Sequence, residues 1–220
     1  MDAVAAALDI RPRWRGAIHR AAVPAFAIAF TTLAVETPSS DGDRLAVVVY
    51  AFGVLSMFAV SAVYHSGRTS PAATRLLKRV DHGTILLAIA GTYTAVTALA
   101  VHGDRRGQLL VGIWIAAAIG IAIQMLWLDA PRIVGAAVYI VVGWFAIFDL
   151  PAYLKATTNA QFAWVIAGGL LYTIGGAIYA AKKPNPSPEH FGFHEVFHAL
   201  TVAGAAAHFV AVTLLVRVVA

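Results

Sequence analysis

The chain has 220 residues, 60% of them apolar and only 12% charged, with a formal net charge of +5 and no cysteine. A soluble domain is about 45–50% apolar, so a mean hydropathy of +0.77 excludes an ordinary water-soluble monomer. The missing cysteines remove disulfide frameworks, thiolate catalysis and cysteine-held zinc together, which leaves His, Asp, Glu or water to hold any metal.

The opening stretch MDAVAAALDIRPRWR is too polar and interrupted for the continuous apolar core of a signal peptide. It reads as a retained segment over about residues 1–16, ahead of a single helical domain over 17–216. Apolar runs follow at about 17–35, 44–66, 80–101, 108–128, 132–149, 159–181 and 191–216. A hydrocarbon core about 30 Å thick takes about 20 residues per helix. The expectation is therefore an all-α integral membrane protein with seven transmembrane helices. Polar or Pro/Gly-rich breaks separate the runs: ETPSSDGD at 36–43, GRTSPAATRLLKR at 67–79, HGDRRG at 102–107, DAPR at 129–132 and KKPNPSPEH at 182–190. Small residues inside the later runs, such as Gly168, Gly175 and Ala205, predict close helix packing in lipid.

The basic excess is explained by orientation. Numbering the loops alternately puts Arg44, Arg105, Arg106, Lys155 and Arg217 on one side, and the other eleven of the 16 Lys and Arg, Arg11 and Arg68 among them, on the N-terminal side. The positive-inside rule then predicts a cytoplasmic N-terminus and, after seven crossings, an outside C-terminus in the plasma (inner) membrane. No nucleic-acid partner is called for.

Ionisable groups inside spans are expensive, about 2.5–3.5 kcal/mol for Asp, Lys or Arg at mid-helix on insertion scales. Here they gather at one depth. Ser61 and His65 end the second run, Asp81 and His82 open the third, and His194, Glu195 and His198 open the seventh. Residues four apart share a helix face, so Ser61 points with His65 and His194 with His198. Two imidazoles at that spacing, with a third from a facing helix, suit a tetrahedral Zn²⁺ site with its fourth position open. Zinc is favoured over copper by that geometry. Asp81, read as lying one turn into its helix, could accept a hydrogen bond from water at such a site and act as base. Ser61 could donate to a substrate carbonyl oxygen or cap its own helix backbone. His19, His82, His102 and His190 are expected to be interfacial hydrogen-bonding residues. His208, about 15 Å deeper than His198 by helical rise, is expected to stand apart from the metal.

HEVFH at 194–198 also fits H-E-x-x-H, in which Glu195 would be a protease base. No Asp or Glu follows it as a further ligand. Glu195 also lies about 100° round the helix from His194, so it could instead face a neighbouring helix or a vestibule.

Taken together, SAVYH at 61–65, VDH at 80–82 leading into IAGTYT at 89–94, and FGFHEVFH at 191–198 resemble the haemolysin III family. That family is the bacterial branch of the progestin and adipoQ receptor superfamily. The resemblance runs from RGAIH at 15–19 to His208-Phe209. It implies a seven-helix bundle with a zinc ion near the cytoplasmic face, held by His65, His194 and His198, with Asp81 as the water-binding aspartate and Ser61 as the signature serine. Two departures stand out: Ala95 where bacterial members commonly carry proline, and an N-terminal RPRWRGAIHR without the usual acidic residues. Receptors of the superfamily are thought to act as ceramidase-like lipid amidases. By that likeness the expected activity is zinc-dependent hydrolysis of a lipid amide or ester, in membrane-lipid homeostasis, with a membrane lipid as substrate or ligand. The alternative is a non-enzymatic sensor or cytolysis-associated protein with a structural zinc.

Overall fold

The structure, a computed structural model, describes residues 12–39, 42–67, 70–127 and 129–219. Residues 1–11, Arg68 and part of the connection after the first helix lie outside the described residues, so the predicted N-terminal segment is described only from Pro12 onward. The helices are α1 (Ala17–Glu36), α2 (Asp43–Tyr64), α3 (Pro71–Ala100), α4 (Asp104–Leu126), α5 (Arg132–Gly143), a 3₁₀ helix (Phe145–Asp149), α6 (Leu150–Ala156), α7 (Asn159–Ala181) and α8 (Phe193–Val219). Counting α5 to α6 as one crossing, seven segments among the described residues are long and apolar enough to span a membrane. Large apolar side chains such as Ile28, Phe52, Ile119, Leu170 and Val218 face outward, as a lipid-solvated surface requires.

Two boundaries differ from the hydropathy reading, each for a local reason. The third span begins at Pro71, not near 80. Ser70 caps it by accepting from the Ala73 N–H at 3.3 Å, and Pro71 sits in the first turn, where its missing N–H does no harm. Hydropathy finds where a helix enters lipid, whereas the charged TRLLKR stretch is helical too. Asp81 is accordingly about three turns into α3 rather than one.

The fifth span is broken. Trp144 leaves the α conformation, and the Tyr93 hydroxyl fills the gap by donating to Gly143 O (2.8 Å) and accepting from Ala146 N (2.9 Å). Pro151, which has no N–H to donate, sits at the start of α6.

Packing is closest where glycines let backbones touch. A Cβ at Gly53 would lie 2.7 Å from Leu87 O, and one at Gly91 would lie 3.0 Å from Val49 O, so α2 and α3 meet backbone to backbone. Gly175 and Gly204 similarly admit Phe197 and Tyr172 across the α7–α8 contact. Tyr50, Phe58 and Val212 fill the core between these pairs, while Leu86 packs with Ile113 and Ala117 on the α4 side of α3. The result holds the end of α2, the first half of α3 and the start of α8 around one cavity.

Candidate metal centre

His65 is the C-cap of α2. Its N–H donates to Ser61 O at 2.9 Å, and the chain turns away through Gly67. Gly16, at φ +74°, lies so near that a Cβ there would be 2.8 Å from His65 Cβ; only glycine lets the N-terminal segment close over this histidine. His194 and His198 lie on the first turns of α8. That helix is started by Asn185, whose Oδ1 accepts from Phe193 N (2.8 Å), and by Glu195, whose Oε2 accepts from Gly192 N (2.9 Å).

These elements bring the three imidazoles together. One ring nitrogen from each of His65, His194 and His198 lies within 4.8 Å of the others, and His65 Nε2 and His194 Nε2 are 3.1 Å apart. Three nitrogens about 2.0–2.1 Å from a tetrahedral metal would be separated by about 3.4 Å. The His65–His194 pair comes near that separation, and the all-imidazole donor set suits a divalent transition metal. His65 and His198 are buried and His194 partly so.

Around them opens a cavity of about 1070 Å³, lined by the three histidines together with His19, Ser61, Asp81, His82 and Tyr139. The Ser61 hydroxyl is hydrogen-bonded to the Asp81 carboxyl. Asp81 is not among the clustered donors, and among the described residues that cluster is histidine alone. Beneath the cavity an apolar crevice continues between α3, α5, α7 and α8, walled by Ile89, Ile140, Trp144 and Tyr172.

A sequence model of the family described as Haemolysin-III related matches residues 10–209. The chain belongs to the haemolysin III family. It is 28% identical over 183 residues to the Hemolysin-3 homolog of Bacillus subtilis (strain 168), covering 83% of each chain. It is 29% identical over 174 residues to Hemolysin-3 of Bacillus cereus, covering 78% of this chain and 76% of that one. With seven apolar helices, this haemolysin III protein is a multi-pass protein of the plasma membrane.

Several histidines of the haemolysin III chain differ in role from the sequence expectation. His19 is not an interfacial hydrogen-bonding residue. It is 3% exposed, neither ring nitrogen has a protein partner, and its ring stacks on His198 with centroids 4.0 Å apart and planes 13° apart. No spacing rule could reveal it, because the contact joins α1 to α8. His82 lines the cavity beside Gln124, while His102 is exposed near the start of α4 and His190 is exposed beside Ser187. His208 stands apart as expected, its Nε2 against Val165 O at 3.0 Å.

Glu195 has a structural occupation. It is 1% exposed, receives the Arg15 guanidinium at 2.6 Å and closes half a capping box with Gly192. The Gly192-to-Glu195 spacing carried that signal; Arg15, 180 residues away, carried none. Ser61, expected to reach a substrate carbonyl or its own backbone, has its hydroxyl against the Asp81 carboxyl.

Proposed function

We propose that this protein is a membrane-embedded zinc hydrolase acting on a lipid amide or ester, oriented with the metal cluster toward the cytoplasm. The observation that carries the reading is the position of the three-histidine cluster on the wall of a polar cavity that shares Tyr139, Phe197 and Thr201 with an apolar crevice. A lipid would present its carbonyl there with its chain in the crevice and its polar end in water. Zinc held by His65, His194 and His198 would supply Lewis-acid polarisation of that carbonyl and activation of water.

The remaining roles belong to the chain. The Asp81 carboxylate takes a proton at its free oxygen, as a general base. Ser61 holds the other side of that carboxyl by hydrogen bond and fixes its direction. Tyr139, Phe197 and Thr201, which line both the cavity and the crevice, confine the chain beneath the reacting bond.

The test is turnover of ceramide-like and phospholipid substrates by purified protein whose metal content is measured on the same sample. Asp81→Asn should lower turnover by at least about 10²-fold, the lower bound for a positioned base, with metal content unchanged. Turnover indifferent to that substitution would remove Asp81 from the mechanism.

A second reading has its own support. His65 caps α2 while His194 and His198 start α8, so a metal would tie two distant segments and could be purely structural. Chelation separates the two. A metal-free protein that keeps its melting temperature and loses turnover supports the hydrolase. A large fall in melting temperature, with no turnover in the metal-loaded protein, supports the structural role.

A further inference from the structure

We propose that the mouth of the polar cavity binds the terminal phosphomonoester of a lipid whose acyl chain occupies the crevice below. The inference rests on the reading that a lipid enters the cavity, and not on any bond being cleaved there. Among the described residues five cationic side chains line this cavity, Arg15, Lys78, Arg132, Lys182 and Lys183, against the one carboxylate of Asp81. They come from the segment before α1, from α3, from the first residue of α5 and from the end of α7.

A general basic bias at one membrane face would put cations at this end, but it would not converge them on one concavity. Arg20, Arg75 and Arg79 show the difference, since they are exposed at the same end and line no part of it. Arg15 is committed to Glu195. Arg132 is held over the rings of Tyr179 (5.6 Å) and Phe193 (5.8 Å), which leaves its in-plane N–H groups to donate. No carboxylate lies within 4.0 Å of Arg132, Lys182 or Lys183 among the described residues.

The number of cations selects the anion. Arg132, Lys182 and Lys183 together exceed the charge of one carboxylate, whereas a phosphomonoester carries about −1.5 to −2 and three strong acceptor oxygens. The crevice selects the rest of the molecule. Its walls are aliphatic and aromatic, and Met57, Ile85, Ala136 and Gly176 line crevice and cavity alike. A single amphiphile can therefore place its head among the cations and its chain in the crevice, passing the histidine cluster on the way.

The experiment measures binding of fluorescent lysophosphatidic acid and of lysophosphatidylcholine with the same chain to the detergent-solubilised full chain, with inorganic phosphate as competitor. Lysophosphatidic acid should bind at least about tenfold more tightly, the worth of one charge-assisted hydrogen bond. Arg132→Gln/Lys182→Gln/Lys183→Gln should abolish that preference, with a wild-type melting temperature reporting an intact fold. The exposed pair Lys182→Gln/Lys183→Gln alone should reduce the preference. Arg20→Gln/Arg75→Gln/Arg79→Gln, equal in charge removed, should retain it.

Equal affinity of wild type for the two lipids would overturn the proposal, as would equal loss in both triple variants. Inorganic phosphate binding as tightly as lysophosphatidic acid would assign the cations to free phosphate and overturn it too. Because binding is read without turnover, a protein that keeps the preference yet cleaves no lipid refutes the hydrolase and leaves this site standing.

Discussion

Replacing Glu195 decides whether HEVFH is a protease motif or a piece of architecture. Glu195 is 1% exposed, its Oε1 receives the Arg15 guanidinium at 2.6 Å and its Oε2 receives Gly192 N–H at 2.9 Å. Glu195→Ala leaves a partly buried guanidinium unpaired, a loss of about 3–5 kcal/mol for breaking one side of a buried pair. It also removes a helix cap worth about 1 kcal/mol. Glu195→Gln keeps an acceptor for Gly192 and loses only the charge, about 1.5–3 kcal/mol. For a chain of this length each kcal/mol moves the melting temperature by about 2–4 °C, so the alanine variant should melt well below the glutamine variant, and both below wild type. Arg15→Met/Glu195→Met, which removes both charges, should recover much of the alanine loss. The assay is thermal unfolding in detergent, with bound metal measured on each protein. Metal content should be unchanged in Glu195→Gln because no imidazole moves. A Glu195→Gln protein with the wild-type melting temperature and metal content but no turnover would refute this reasoning and restore Glu195 as a catalytic base.

Three further outcomes follow from the same geometry. If the cluster holds a metal, as proposed, His65→Ala should reduce the metal bound by the wild-type protein to trace amounts by elemental analysis; full retention would show that His65 is not a ligand. His19→Phe should keep the metal, because His19 stacks on His198 without joining the donor cluster; loss of the metal would make His19 a ligand. Gly53→Ala must push α2 and α3 apart by about 0.7 Å, from the 2.7 Å approach of its Cβ to Leu87 O toward an ordinary 3.4 Å contact. That strain costs about 1–3 kcal/mol, read as a lower melting temperature, whereas Gly107→Ala, with nothing within 4 Å, should not destabilise.

Much of the fold was legible because lipid imposes a simple rule on composition. The sixth span, 159–181, begins and ends where the hydropathy does, its start fixed by a capping box between Thr158 and Gln161 that any reader of the sequence can find. The third span was misplaced at its start because Ser70 and Pro71 signal a helix that hydropathy cannot see. The break at Trp144 was hidden because its remedy, the Tyr93 hydroxyl, comes from another helix 50 residues away.

The candidate site divides the same way. Local spacing on single helices determined that His194 shares a face with His198, and the order of polar residues along the spans determined that Ser61, His65, Asp81 and His194 lie near one depth. Only the tertiary structure decided which of these touch. It put His65 Nε2 3.1 Å from His194 Nε2, gave the Ser61 hydroxyl to Asp81, and placed His19 against His198 and Arg15 against Glu195. Helical periodicity fixes directions within about one turn, whereas these contacts depend on how far two helices approach and how they are rotated. Here the close α2–α3 contact at Gly53 and Gly91 and the turn at Gly16 settle both.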